Sequence, residues 1–199
     1  LVGLHIRMGD FLPVANPAEY QGLWNTRVPL AWYVNICRQM RAALGNNVTF
    51  MLLTDGSEAE LKDFVAEFNP ITNFGQPYAV VSDLLALATA DVLVCSISSY
   101  SMWGVMLSGA PYFWYLPNLR ELDGYLTLWK ERIEGIGDKA AASEILPRGV
   151  PLAENGRIPD SVLDYLRLKI KLNSLSLDLV KSGGVPLDYE TVREQCITT

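Results

Sequence analysis

The chain has 199 residues, half of them hydrophobic and 19% charged, which is the composition of a folded globular domain and excludes a disordered segment. The net charge of -6 argues against a general nucleic-acid binder, which would carry the opposite sign. A small anionic ligand still fits, because a few arginines and helix ends can hold it. The sequence contains no apolar run of membrane-spanning length.

Histidine and cysteine usage gives no sign of a metal site. His5 is the single histidine, which excludes a histidine-rich site. The three cysteines, Cys37, Cys95 and Cys196, have no metal-ligand spacing, and Cys95 lies in an apolar run where we expect a small core residue.

Residues 1–116 predict a strict alternation of strands and helices. Pro29 in the first turn and Gly45 just past the end frame one amphipathic helix, and the apolar run 48–53 has the length of a buried parallel strand. The predicted strands are 1–7, 48–53, 78–81, 92–95 and 112–116, and the predicted helices are 29–44, 58–68, 83–89 and 99–108. This order predicts an α/β fold, a Rossmann-like parallel sheet with flanking helices, whose ligands bind at the carboxyl ends of the strands.

The pattern weakens after residue 117. We predict a helix over 121–133, a loop rich in Gly, Ala and Pro over 135–156, and a helix over 161–172. The chain is therefore divided into a core α/β part, 1–116, which carries the motifs, and a mostly helical C-terminal extension, 117–199.

Polar residues end the first predicted strand. His5 and Arg7 alternate with apolar neighbours and so point to one face, where two cationic or donor side chains would converge at the carboxyl end. Gly9 lets the backbone turn closely, and Asp10 can accept backbone hydrogen bonds in that turn. The guanidinium can grip a phosphate with two parallel hydrogen bonds. The alternative is an Arg7–Asp10 pair that acts only as a structural clamp.

The predicted strand 92–95 runs into small hydroxyl residues that begin a helix. Ser98 or Ser99 can cap that helix, and the free N–H groups at its start, together with the hydroxyls, make an anion site. The alternative is a plain N-cap without a ligand.

Asp83 is placed at the start of the predicted helix 83–89. There it is either an ordinary N-cap or a carboxylate that accepts two hydrogen bonds from the adjacent N–H donors of a guanine.

Taken together, these motifs resemble those of fucosyltransferases. Residues 5–10, His-Ile-Arg-Met-Gly-Asp, are similar to the HxRxGD motif shared by α1,2-, α1,6- and protein O-fucosyltransferases. Residues 91–99 are similar to the donor-binding motif of the α1,6 branch. Residues 98–104 are similar to the Ser-Ser/Thr-Phe-Ser-Trp-Trp-Gly pattern of the α1,2 branch, with Met102-Trp103 in place of Trp-Trp. The resemblance covers residues 1–115 in the right order, and the segment after 117 gives no match.

The resemblance implies a GT-B glycosyltransferase, with two Rossmann-like lobes of which this chain would be the GDP-sugar-binding one. The N-terminal acceptor lobe is not visible ahead of Leu1, and because the sequence opens on a strand without a methionine or signal peptide, we expect a fragment or one domain of a longer protein. The reaction would be inverting and independent of metal. The implied GDP-fucose-binding residues are His5, Arg7, Gly9, Asp55, Asp83, Ser98, Ser99 and Tyr100, with Asp10 and Phe11 supporting the loop.

The implied roles follow the charges of the donor. Arg7 would be catalytic, holding the β-phosphate and stabilising the leaving GDP. His5 would line the same pocket, Asp83 would read the guanine edge, and residues 98–100 would hold the phosphates through hydroxyls and backbone N–H groups. Asp55 belongs to the same rim at the end of the second strand.

The implied partners are GDP-fucose and a glycan or glycoprotein acceptor, with no cofactor, no metal, no nucleic acid and no membrane segment in this chain. Localisation would be the Golgi or endoplasmic reticulum lumen in a eukaryote and the cytoplasm in a bacterium. Two alternatives stay open: a non-catalytic module that binds a GDP-sugar, and a different GDP-hexose as donor. A flavodoxin-like or receiver-like domain would instead need an acidic cluster or phosphate loop after the first strand, and His-Ile-Arg is the wrong chemistry for both.

Overall fold

The computed structural model describes residues 1–14, 25–76, 79–122, 125–127 and 148–181. Its elements are, in chain order, β1 (Val2–Ile6), α1 (Leu30–Leu44), β2 (Phe50–Thr54), α2 (Glu58–Phe68), β3 (Ile71–Thr72), α3 (Ala79–Ala88), β4 (Val92–Val94), α4 (Ser99–Ser108), β5 (Tyr112–Tyr115), β6 (Arg120–Leu122), β7 (Tyr125–Thr127), β8 (Gly149–Leu152) and α5 (Asp160–Lys181). No helix in these ranges has both the length and the apolar character needed to cross a membrane.

Six of the strands form one parallel sheet in the order β3-β2-β1-β4-β5-β8. Chain order reverses between β1 and β4, because β2 and β3 extend the sheet on one side of β1 and the later strands extend it on the other. This is the strand order of doubly wound, Rossmann-like folds, in which ligands bind outside the carboxyl ends of the two strands at the reversal. The predicted α/β class and parallel sheet are confirmed.

Helices cover both faces of the sheet. On one face, α1, α2 and α5 bury side chains such as Trp32, Phe64 and Val162 against β1, β2 and β4. On the other face, α3 and α4 contribute Leu87 and Val105 to a second, smaller cluster. The central strands β1, β2 and β4 are therefore buried on both sides, which is why they read as near-continuous apolar runs in the sequence.

Local sequence signals explain where the helices begin and end. Ser57 and Glu60 form a capping box at the start of α2, with each side chain bonded to the backbone of the other residue. Gly45 follows α1 with a φ of 68°, a left-handed conformation that glycine adopts without strain. Ser98 caps α4. The predicted bounds of α2 and α4 are confirmed, and α1 begins one residue after Pro29.

The predicted strand over 78–81 is wrong for residues 79–81, which form the first turn of α3. The sheet instead takes Ile71–Thr72 as β3 beside β2. Val80 and Val81 are exposed on the helix, so their β-propensity is overridden by the tertiary context, as propensity often is. As a consequence, Asp83 lies inside α3 and is not its N-cap, which corrects both the predicted helix start and the capping alternative.

The second half departs from the prediction in two more places. The predicted helix over 121–133 is wrong where the structure describes it, because β6 and β7 pair there as an antiparallel hairpin. The predicted loop over 135–156 is wrong at Gly149–Leu152, which forms β8 parallel to β5. Pro151 is compatible with that edge strand, since an edge position has one side without ladder hydrogen bonds. The remaining residues, 128–133 and 135–147, lie outside the described ranges.

The predicted helix over 161–172 is confirmed and is longer, reaching from Asp160 to Lys181 as α5. It packs against α1 on the first face of the sheet. Within the predicted C-terminal extension, 117–199, β8 therefore belongs to the sheet and α5 belongs to the helical layer that packs on it.

Candidate functional site

The carboxyl ends of β1 and β4 lie side by side at the reversal of strand order. The backbone N–H of Ser96, just past β4, donates to the carbonyl of His5 on β1 at 3.0 Å. On β1, Leu4 and Ile6 face the first core cluster, while the His5 ring contacts the start of α4 on the opposite face. The predicted alternation is confirmed for Leu4, His5 and Ile6 and directs His5 toward α4. Arg7, just past β1, contacts Asp10 and Asp55 instead.

Arg7 leaves the end of β1 and is held by two carboxylates. Its Nη1 lies 2.8 Å from Asp55 Oδ2, and its Nη2 lies 2.8 Å from Asp10 Oδ1. The guanidinium carbon also lies 5.4 Å from the centre of the Phe11 ring, within cation–π range. The Arg7–Asp10 clamp that the sequence raised as an alternative is therefore present. One third of the Arg7 side chain remains exposed, so the group is still open to solvent at the rim.

Asp55, just past β2, organises the turn that carries Arg7. Its Oδ1 accepts the backbone N–H of Met8 at 2.7 Å, and its Oδ2 forms the ion pair with Arg7. A Cβ at Gly9 would overlap that same carboxylate, so a glycine is needed for the close approach of the two segments. Both oxygens of Asp55 are thus engaged by the chain itself.

Arg27 is a residue of this site that the sequence gave no reason to select. Its Nε donates to the carbonyls of Met8 at 2.9 Å and Phe11 at 2.7 Å, across the turn that follows β1. Its Nη1 bonds Glu60 Oε1 at 3.2 Å. Hydrogen bonds from Ser57 and Arg27 lower the pKa of Glu60, so the carboxylate stays charged opposite the arginine. Nothing local marks Arg27, because its partners, two backbone carbonyls and the Glu60 carboxylate, are distant in sequence.

His5 is buried in a cluster of serine hydroxyls. Its Nδ1 lies 2.7 Å from Ser101 Oγ, 3.0 Å from Ser96 Oγ and 3.5 Å from Ser98 Oγ. The ring stacks at a tilt on Tyr100, with centroids 4.9 Å apart. Burial lowers the pKa of His5 to about 4, which outweighs the opposing effect of the nearby Asp55 charge. His5 is therefore a neutral ring at pH 7. Of the two predicted cationic or donor side chains, Arg7 is the cation, and His5 keeps one N–H donor without a charge.

The start of α4 has the form of an anion site. The Ser98 hydroxyl accepts the backbone N–H of Ser101 at 3.2 Å, so the predicted capping role of Ser98 is confirmed. Ser99 is exposed and Tyr100 is half-buried in the first turn. The first N–H groups of a helix and its dipole attract negative charge, and this helix begins at the reversal point of the sheet.

Asp83 projects from the second turn of α3 toward the same edge. Its Oδ2 accepts from Asn73 Nδ2 at 2.6 Å. Burial raises the pKa of Asp83, with the Asn73 hydrogen bond acting in the opposite direction. The Tyr100 hydroxyl donates to the carbonyl of Val80 and joins α4 to α3 beside this carboxyl. Burial, and then the Asp83 charge, raise the pKa of Tyr100 to about 12, so its hydroxyl stays protonated.

The structure brings the predicted residues to one edge in two groups. Arg7, Asp10 and Asp55 form a charged group at the ends of β1 and β2, and the second group, on β1, α3 and α4, comprises His5, Asp83, Ser98, Ser99 and Tyr100. The two groups are connected through β1, because Arg7 follows His5 by two residues in the chain.

The other residues singled out in the sequence belong to neither group. Met102 packs against the second core cluster, and Trp103 is 57% exposed on α4. Cys95 is buried, as predicted for a core residue, and burial raises its thiol pKa. Cys37 is also buried and unbridged, while Cys196 lies outside the described residues. Within the described ranges, no three His, Cys, Asp or Glu side chains are grouped so that they could hold a metal ion.

Comparisons of the chain with protein-family models, with curated proteins and with solved structures give no match in any of the three. The architecture is that of a Rossmann-like α/β domain, and the chemistry of its edge has to be interpreted from the residues themselves.

Proposed function

We propose that this chain is the donor-binding lobe of an inverting, metal-independent glycosyltransferase of the fucosyltransferase type, with the GT-B arrangement. Its donor is GDP-fucose, and its acceptor is a hydroxyl of a glycan or a protein. The observation that carries the proposal is that the Arg7 turn follows β1 and the Ser98-capped α4 follows β4, the two neighbouring strands at the switch point of the sheet. Ligand phosphates bind at this position in doubly wound folds.

The diphosphate is bound by one side chain and one helix end. Arg7 supplies a guanidinium that can grip a phosphate with two hydrogen bonds, and α4 supplies backbone N–H groups with the positive end of its dipole. The two Arg7 ion pairs are unequal. The Asp10 side chain is 65% exposed, and exposed pairs contribute only about 0–1 kcal/mol, so a phosphate can replace Asp10. Asp55 is held by Met8 as well and keeps the guanidinium oriented.

The guanine is recognised by Asp83. One of its oxygens is held by Asn73, and the other, Oδ1, has no hydrogen-bond partner among the residues that the structure describes. A carboxylate in this state can accept from two neighbouring N–H donors, which guanine offers and which adenine and uracil do not offer in the same pattern. The partial burial that raises the pKa of Asp83 also strengthens such hydrogen bonds.

The reaction places new negative charge where these groups converge. The acceptor hydroxyl attacks C1 of the sugar from the face opposite the diphosphate and releases its proton to water. The electron pair of the broken C1–O bond passes to the β-phosphate, which leaves as GDP. Arg7 and the start of α4 stabilise the charge that develops on that oxygen, which is electrostatic stabilisation of the transition state. In this proposal the acceptor-binding lobe is a separate part of the full protein.

A titration of the purified chain with GDP, UDP and ADP tests the donor assignment. We expect GDP to bind with clear preference, since Asp83 discriminates the base while the diphosphate contacts are common to all three. Equal affinities, or no binding, would contradict the proposal.

The non-catalytic alternative is a module that binds the GDP-sugar without transferring it, and the engagement of Arg7 by two carboxylates favours it. Assays for release of GDP from GDP-fucose, with and without glycan or glycoprotein acceptors, distinguish the two functions. Binding without any turnover in the full-length protein would favour the module.

A further inference from the structure

Asn73 is a polar residue directly after β3, at the same carboxyl edge as the candidate site. Its amide bonds both backbone groups of Thr54 at the end of β2: Nδ2 donates to the carbonyl at 3.0 Å, and Oδ1 accepts the N–H at 3.3 Å. The side chain thereby continues the pairing of two strands beyond the two residues of β3. This double contact fixes the plane of the amide on the strand edge of the sheet.

The same amide reaches across to α3. Asn73 Nδ2 also donates to Asp83 Oδ2 at 2.6 Å, the one hydrogen bond of that carboxylate within the described residues. Because α3 otherwise holds Asp83 only through its backbone, Asn73 sets the torsion of the carboxyl group. The Oδ1 atom of Asp83 is left to accept a further hydrogen bond, and the Tyr100 hydroxyl of α4 donates to Val80 on the same helix as Asp83.

We infer that Asn73 is a positioning residue for base recognition, which orients the Asp83 carboxylate so that it accepts from the two adjacent N–H groups of a guanine. The inference rests on the proposed function, because it takes Asp83 to be the residue that reads the base. It goes further by assigning the base specificity of the site to a pair, the Asp83 carboxylate on α3 and the Asn73 amide after β3. In this pair only Asp83 contacts the base.

A merely structural role for Asn73 is the competing interpretation, since the amide also ties β2 to α3. The two interpretations predict different losses of nucleotide affinity when the Asn73 amide is removed. A structural tie would weaken the binding of every nucleotide by a similar factor, because the whole edge would shift. An orienting role would weaken the binding of GDP and leave the diphosphate contacts, and hence UDP, unaffected.

The test compares the affinities of GDP, inosine diphosphate and UDP for the wild-type chain and for two variants, Asn73→Ala and Asn73→Asp. Inosine diphosphate lacks the exocyclic amine of guanine and so reports the second hydrogen bond to Asp83. Asn73→Asp is nearly isosteric and keeps an acceptor for the Thr54 N–H, so it tests the lost donor even if Asn73→Ala folds poorly. Asn35→Ala is the matched control, because Asn35 is also a half-buried amide that bonds a backbone carbonyl, at Asn155, on the other face of the sheet.

We expect both variants to lose about tenfold or more in GDP affinity, the scale of one hydrogen bond to a charged group, while UDP affinity stays within about twofold. The preference of the wild type for GDP over inosine diphosphate should largely disappear, and Asn35→Ala should retain it.

Three outcomes would overturn the inference. If the wild type prefers GDP and the Asn73 variants keep that preference, the inference is wrong and the proposed function stands. If the variants weaken all three nucleotides equally, Asn73 is structural. If the wild type itself shows no preference for GDP, both the proposed function and the inference fail.

Discussion

The two sides of the switch point are built from opposite kinds of chemistry. At the ends of β1 and β2, Arg7, Asp10 and Asp55 form a charged and partly exposed group held by ion pairs. At the start of α4, His5 and Ser101 belong to a buried, neutral cluster in which hydroxyls surround one imidazole nitrogen. The two groups belong to one edge and are joined through β1.

The charged group is suited to binding a ligand, and the buried neutral group contributes to the stability of the fold. Exposed ion pairs contribute about 0–1 kcal/mol each, so the charged side can exchange partners at little cost to the fold. A buried polar group that loses its partners costs about 1–3 kcal/mol, so the neutral side is fixed in place. Substitutions on the charged side should therefore change function, and substitutions on the neutral side should change stability as well.

The largest effect is expected for Arg7→Ala. Removal of the guanidinium leaves the charge on the departing diphosphate without its main partner, and we expect transfer by the full-length protein to fall by more than about 10²–10³-fold. The free energy of unfolding should change by no more than about 2 kcal/mol, since the two lost ion pairs are partly exposed and contribute about 0–1 kcal/mol each. Arg38→Ala, which removes an exposed Arg38–Glu67 pair between α1 and α2, is the control and should leave transfer unchanged. Near-native transfer in Arg7→Ala would reject the functional assignment.

An effect of intermediate size is expected when the pH is lowered and His5, in the buried neutral cluster, has to become protonated. The folded pKa of His5, about 4, lies below its ordinary value of 6.5 because the ring is buried. The unfolded chain therefore binds a proton first as the pH falls, and stability that is complete above pH 6.5 is lost progressively toward pH 4. The loss at pH 4.5 should be on the order of 2 kcal/mol.

Urea denaturation between pH 7.5 and pH 4.5 measures this loss, and His5→Asn should show a shallower dependence on pH. Because His5 is the single histidine of the chain, its imidazole resonances can also be followed directly by NMR. A ring that becomes charged near pH 6.5 in the folded protein would contradict the buried, neutral cluster.

The smallest effect distinguishes two serine caps of the same kind. Ser98 caps α4 at the switch point, and Ser57 caps α2, which begins after β2, one strand away from it. Ser57→Ala should lower the free energy of unfolding by about 1 kcal/mol, the usual cost of a lost N-cap. Ser98→Ala should lower it by about 1–3 kcal/mol, because the Ser98 hydroxyl also contacts the buried His5 and Ser96. Only Ser98→Ala should also weaken GDP binding, by a few-fold. Equal effects of the two variants on GDP affinity would argue against a diphosphate at the start of α4.

Features that depend on interactions between residues close in sequence could be predicted, and features that depend on tertiary contacts could not. The capping box of Ser57 and Glu60 and the cap at Ser98 are local, and the helices that they begin were predicted with their correct bounds. The rhythm of buried strands was also sufficient for the class of fold. The run before Asp83 was misread as a strand, because its valines favour β structure locally and are placed on a helix by tertiary context.

The site residues divide in the same way. His5, Arg7 and Ser98 could be selected because they stand at the ends of predicted strands. Arg27 and Asn73 could not, since their roles arise from contacts with backbone groups 16 and 19 residues away in sequence. The edge strand β8 was missed for a similar reason, as its short Gly-Val-Pro-Leu sequence becomes a strand only beside β5.

The central claim is that the guanidinium at the tip of β1 and the first turn of α4 bind one diphosphate between them. The most direct measurement is a crystal structure of the chain with GDP. Our account expects the β-phosphate to lie within hydrogen-bond distance of Arg7 and of backbone N–H groups in the first turn of α4. A diphosphate bound in another cleft, or one that contacts only one of these two groups, would contradict it.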